Sequence, residues 1–231
     1  MRAESIEGFV LHARDYRDTS QLVDIFTRTY GRVRLVARGS RAHKKNSLRL
    51  SPFCCAEFSW AGRGELKTLT NFEATQNYQL QGEHLISGFY INELLWHLLQ
   101  PEDSHPQLYQ QYSNTLSSLN EAADLEPLLR GFELNLLEEV GYGVSFDLDF
   151  EGNPINPQQH YDLAGELGWQ PCDSTEQSSL VGSQILAISK KDFSEASLRN
   201  VCKQLNRAAL DELLEGRTLN SRELIAKSRG N

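Results

Sequence analysis

The sequence predicts an α+β protein: a small N-terminal β-barrel of OB-fold size over residues 1–79, then an α-helical domain over residues 80–231. Three observations predict it. The first 80 residues alternate apolar and polar side chains at period two. From about residue 83 to residue 140 the apolar spacing becomes helical. From about 141 to 192 regular spacing is lost in an irregular insert containing GYG, GNPINP and a serine-rich patch.

The strands come first. GFVLHARDY sets Phe9, Leu11 and Ala13 against Val10, His12 and Arg14. QLVDIFTRTYGRVRLVAR holds two strand-like runs around Tyr30-Gly31, where glycine supplies the positive φ of a tight connection. PFCCAEFSW and ELKTLTNFEA are separated by AGRG, a hairpin loop. About five short strands in this length suit a closed barrel such as an OB-fold, with an SH3-like barrel as the alternative.

The helices follow. HLISGFYINELLWHLLQ carries Leu85, Ile86, Phe89, Tyr90, Leu94, Leu95, Leu98 and Leu99 on one wide stripe and stops before Pro101. PQLYQQYSNTLSSL repeats the pattern through Leu108, Tyr112, Leu116 and Leu119. EPLLRGFELNLLEEVG begins with Pro127 in a first turn and ends at Gly141, its core face being Leu128, Leu129, Phe132, Leu136 and Val140. The insert is read as loop with two short strands. A helix from Ser194 to Gly216 and a short one from Ser221 complete the chain.

Composition narrows the class. With 231 residues, 39% hydrophobic and 23% charged, the chain reads as globular with a real core. MRAESIEGF has no apolar core of a signal peptide, and no apolar run reaches the eighteen residues of a membrane helix. The expected setting is the cytoplasm, with no membrane contact. Cys54, Cys55, Cys172 and Cys202 form no C-x-x-C and are expected to be reduced thiols, Cys54 and Cys55 on opposite faces of one strand.

Charge is polarised along the chain. Residues 1–80 hold 13 basic and 8 acidic residues, net +5; residues 81–231 hold 10 and 23, net −13. Between Ile25 and Ala56 lie eight Arg or Lys and no Asp or Glu. If Arg32–Arg38 is a strand, Val33, Leu35 and Ala37 point inward, and Arg32, Arg34 and Arg38 point outward with Val36 among them. A row of guanidiniums on a rigid sheet matches the phosphate repeat of a nucleic acid. The candidate DNA-binding residues are Arg14, Arg32, Arg34, Arg38, Arg41, Lys44, Lys45, Arg49, Arg63 and Lys67. The competing class is an adaptor whose basic patch holds an acidic protein. Tyr16, Tyr30 and Trp60 are candidate stacking platforms, set against ordinary core or rim packing.

Six segments in order, FVLHARDYRDTSQLVDIFTRTYGRVRLVARGSR, SPF, GRGELKTLTNFEA, GFYINELL, FELNLLEEVGYGVSF and LNSRELI, together resemble RecO, a family of bacterial DNA repair proteins and recombination mediators of the RecF pathway. The resemblance covers nearly the whole chain. It implies an N-terminal OB-fold before a helical domain, binding of single- and double-stranded DNA, and annealing of complementary strands. It implies association with the nucleoid and work with RecR to load RecA onto DNA coated by single-stranded-DNA-binding protein (SSB). It also implies recognition of the acidic, apolar SSB tail. Many members carry a four-cysteine zinc site after the GYG segment. GYGVSFDLDFEGNPINP has no cysteine, so no zinc or other cofactor is expected.

An acidic tail calls for a cation beside an apolar groove. Arg130 is the only Lys or Arg between Lys67 and Lys190, with Leu134 and Leu137 on the side of its helix away from the main stripe. Pairing of Arg130 with Glu133 or Glu126 is the ordinary alternative. No catalytic constellation emerges. GRG at 62–64 lacks a phosphate-loop context, and there is no G-x-S-x-G. Glu93 and His97 one turn apart, and Asp147, Asp149 and Glu151 in alternation, read as packing and a solvated acidic loop. The chain is expected not to be an enzyme.

Overall fold

The computed structural model describes residues 2–40, 49–164, 168–173 and 179–229, the last five as backbone only. By contacts the chain divides into two compact units, Met1–Leu125 with Leu214–Asn231, and Glu126–Leu213.

The first unit is built on five strands: β1 (Arg2–Tyr16), β2 (Ser20–Thr27), β3 (Gly31–Ala37), β4 (Cys54–Ala61) and β5 (Leu66–Asn77). They pair in the order β1-β2-β3-β5-β4, and β1 also pairs with β4, so the sheet closes on itself. The β3–β5 pairing is parallel and the others are antiparallel. β1 begins six residues before the alternating segment, because Arg2–Glu7 pairs only with β4 and is mostly exposed, which leaves no apolar period to read. Val10, Ile25, Val33, Leu35, Phe58 and Trp60 fill the interior. Each is at most 1% exposed, a burial that stabilises by about 1.5–3 kcal/mol for an aliphatic or phenyl side chain.

The outer face of β1 and β2 is buried too. Phe9 and Phe26 pack on Tyr109 and Tyr112, with Phe9–Tyr112 and Phe26–Tyr109 ring centroids 5.2 and 5.6 Å apart. Those tyrosines lie on α2 (Pro106–Asn120), which pairs with α1 (Gly82–Leu98). Asn92 of α1 ties the layers: its Nδ2 donates to the Leu11 carbonyl (2.8 Å), and its Oδ1 accepts from the Tyr112 hydroxyl (2.7 Å). A buried amide with both ends bonded carries no unsatisfied polar group.

The link between α1 and α2 is strapped to the β2–β3 turn. Glu102 N–H donates to the Arg32 carbonyl (2.9 Å), and Ser104 Oγ donates to the Arg28 carbonyl (2.9 Å). Gly31 sits at this crossing with φ +58°, and a Cβ there would lie 1.7 Å from the Asp103 carbonyl oxygen. Only glycine admits both the conformation and the approach. The C-terminal α6 (Asn220–Arg229) joins the same unit. Its first N–H groups, on Asn220 and Ser221, donate to the Glu93 carboxylate at 3.2 and 2.9 Å, satisfying orphan donors and complementing the helix dipole.

The second unit holds most of α3 (Leu125–Glu139), α4 (Gly182–Ser189) and α5 (Ala196–Leu213), with a three-stranded sheet of order β7-β6-β8. The strands are β6 (His160–Leu163), β7 (Trp169–Cys172) and β8 (Leu180–Val181). Among its described residues the insert therefore holds more regular structure than its sequence suggests. Its core is Ile155, Tyr161, Trp169, Leu180 and Ile185. Strands of two to four residues and an eight-residue helix are too short to impose a period.

Candidate functional site

On β3 the burial alternates as the sequence requires: Val33, Leu35 and Ala37 are buried, and Arg32, Arg34 and Val36 are partly exposed. The arginines differ in what they meet. Asp24 on β2, directly opposite Arg34, is a carboxylate only 2% exposed. Arg34 Nε lies 2.8 Å from Asp24 Oδ1 and Arg32 Nη1 3.5 Å from the same atom. Arg32 also donates from Nε and Nη2 to the Leu99 carbonyl at 3.3 and 3.2 Å, and its side chain is 12% exposed. Burial lowers the Arg32 pKa and Asp24 works against that. Arg32 thus neutralises a buried acid and anchors the end of α1, while Arg34 keeps 36% of its side chain in solvent.

The other candidates separate in the same way. Lys67 is 2% exposed and donates from Nζ to the Gly64 carbonyl and to Glu102. Arg49 reaches Asp15 at 3.1 Å from an exposed position. Arg14, Arg38 and Arg63 are exposed and make no ion pair among the described residues. Arg41, Lys44 and Lys45 lie outside the described residues. Of the stacking candidates, Trp60 is fully buried with Tyr30 edge-on at 5.3 Å, and Tyr16 carries Arg17 at 5.2 Å.

One aromatic beside this face was missed. Trp96 of α1 is partly exposed, with the Arg34 guanidinium 6.0 Å and the His12 ring 6.1 Å from its centroid. His12 is exposed and pairs across the sheet with Asp24, which pairs with Arg34. Around the helix it falls between Leu85 and Phe89 of the apolar stripe, so its spacing carries no signal of exposure.

In the second unit, Arg130 is 8% exposed and bound to Glu133 (Nη2–Oε1 2.7 Å). Glu133 Oε2 accepts from Asn206 Nδ2 at 3.0 Å, so the buried acid has a partner on each oxygen. Burial, with Glu133 nearby, pushes the Cys202 thiol up to about 12. Leu134 and Leu137 line a cavity of about 720 Å³ with Tyr142, Phe146, Trp169 and Lys191. Arg130 is not on its wall. The exposed Lys191 is, and its Nζ donates to Asn135. Asp149, in the acidic loop, accepts from the backbone N–H groups of Glu151 and Asn153 at 3.0 and 2.8 Å. Among the described residues no group of three or more His, Cys, Asp or Glu is placed to hold a metal ion. No helix among them is long and apolar enough to cross a membrane.

Two family models match end to end: Recombination protein O N terminal over residues 1–78, and Recombination protein O C terminal over residues 79–222. The chain belongs to the RecO family. Relatives agree along its length. DNA repair protein RecO of Pseudomonas aeruginosa (strain LESB58) is 44% identical over 218 residues, covering 94% of this chain and 92% of the relative. That of Cellvibrio japonicus (strain Ueda107) is 42% identical over 232 residues, covering 97% and 98%. That of Methylococcus capsulatus is 39% identical over 224 residues, covering 96% and 92%. The models of this RecO-family chain meet between residues 78 and 79, where β5 ends and the helices begin.

Proposed function

We propose that this chain is a DNA repair and recombination mediator that grips DNA on the basic outer face of its barrel. The barrel would be an OB-fold, a reading supported by the closed five-strand order with a parallel β3–β5 contact. The observation that carries the proposal is the trio of Arg34 on β3, Arg14 on β1 and Arg38, which lies in the turn just after β3 rather than on the strand, all reaching solvent in a chain of net charge −8. The acidic remainder would repel DNA and confine it to that face. The RecO relatives are named as DNA repair proteins.

On this reading the chain binds single and double strands, anneals complementary strands, and with RecR helps RecA load onto SSB-coated DNA. Annealing needs no chemical step. It needs phosphate charge neutralised on a surface loose enough for bases to pair. The acidic, apolar SSB tail would seat in the cavity beside Leu134 and Leu137. Lys191, rather than the compensated Arg130, would supply the cation.

The test replaces Arg14, Arg38 and Lys44 by Glu and titrates a labelled oligonucleotide against salt. Binding should fall at least tenfold, and the log–log salt slope should shrink through fewer released counterions. Annealing of SSB-coated complementary strands should fall with it. Undiminished binding at moderate salt overturns the assigned face.

A further inference from the structure

We infer that Trp96, with the Arg34 guanidinium over it and His12 beside it, is a nucleobase-stacking contact at the edge of the basic face. The inference rests on the DNA-binding reading above and adds what that reading lacks, a site for bases rather than phosphates.

Of the three tryptophans, Trp60 is fully buried in the barrel and Trp169 is 1% exposed, whereas Trp96 is partly exposed. Its Nε1 is buried without a hydrogen-bond partner, yet part of the residue stays in solvent beside the basic face. Its neighbours give that exposed part a use. Arg34 is held by Asp24 at 2.8 Å and leans over the indole at 6.0 Å, within cation–π range. His12 sits 6.1 Å from it, and the His97 ring meets it edge-on at 4.7 Å.

Asp24 thereby does two things: it fixes Arg34 in place, and it leaves a partly exposed planar cation against a partly exposed aromatic ring. Unpaired bases stack on both kinds of plane. Exposed Arg14, two residues from His12 on β1, offers charge for the attached phosphate. The favoured ligand is therefore a single strand with unstacked bases.

The experiment compares Trp96→Leu, Trp96→Phe and Arg38→Glu with the unmodified chain, each confirmed folded by its thermal transition. The probes are single-stranded oligothymidylate and an abasic strand of equal length and charge. Oligothymidylate should quench intrinsic fluorescence, and the change should vanish in Trp96→Phe, since the other tryptophans are buried. Trp96→Leu should bind oligothymidylate about tenfold more weakly and the abasic strand unchanged, with Trp96→Phe restoring most of the loss. Arg38→Glu should weaken both probes alike. Equal loss of both probes in Trp96→Leu, no loss at all, or an undiminished fluorescence change in Trp96→Phe overturns the inference while the DNA reading stands. Failure of the unmodified chain to bind either probe overturns both.

Discussion

Asp24 and Arg34 face each other across β2 and β3, with Arg34 Nε 2.8 Å from an Asp24 oxygen that Arg32 also approaches at 3.5 Å. One buried acid thus sits beneath two of the arginines that make the strand look like a nucleic-acid face.

Removing Asp24 should therefore harm the fold before it touches function. Asp24→Ala leaves Arg32, 12% exposed, without its counter-charge. Breaking such a pair costs about 3–5 kcal/mol. Urea unfolding should show that loss of unfolding free energy. Arg38→Ala, on an exposed side chain, should change the free energy by no more than about 0.5 kcal/mol.

Two glycines with positive φ should respond differently to alanine. Gly31→Ala meets the Asp103 carbonyl at 1.7 Å, whereas a Cβ on Gly39, φ +69°, meets nothing within 4 Å. The first should lose at least about 2 kcal/mol and the second about 1 kcal/mol, from conformational strain alone. Thermal melts of the pair would separate contact from backbone strain. Equal losses would mean that the link between α1 and α2 moves aside freely.

Stability should decline on the acid side through His97. Burial first, then Arg217, lowers its pKa from the usual 6.5, with Glu93 acting the other way. The unfolded chain therefore takes up this proton before the folded one. Above about pH 6.5 the group is neutral in both states and contributes no pH dependence. Below it, stability falls until the folded pKa is passed. His97→Gln should flatten that part of a plot of melting temperature against pH.

Thiol reactivity should follow burial. Cys54, Cys55 and Cys202 are buried, at 7%, 6% and 0% exposure, and Cys202 titrates only near 12. Cys172 is intermediate. A disulfide reagent at mild alkaline pH should label Cys172 first, and all four thiols only after denaturation. Fast modification of Cys202 would show that the Arg130–Glu133–Asn206 cluster opens readily.

Much of this was legible in the sequence because period is a direct imprint of burial. Val33, Leu35 and Ala37 alternate with Arg32, Arg34 and Val36 as a strand on a barrel must, and the three long helices between residues 82 and 139 announce themselves by their stripes. What escaped depends on partners distant in the chain. Nothing local says that Asp24 will sit under Arg34, or that Glu102 will reach Lys67. Charge counted along a strand overstates the charge presented to solvent, since buried counter-ions cancel part of it. For Arg130 the pairing with Glu133, one helical turn on, is the ordinary alternative in the sequence; what stays hidden there is Asn206 on the other oxygen of that acid.

The parallel contact of β3 with β5 has a consequence in time. Arg34–Val36 pair with Leu66–Thr68, and Gly8 lies opposite Ala56. β1, β2 and β3 can zip together as neighbours while the chain is being made, but the ring cannot shut until β5 has left the ribosome. At roughly 5–20 residues per second, the unfinished meander waits seconds with two bare strand edges, in reach of any other nascent chain. Fragments ending before β5 should accordingly aggregate, and the segment joining β3 to β4 should set the pace of closure for the whole barrel.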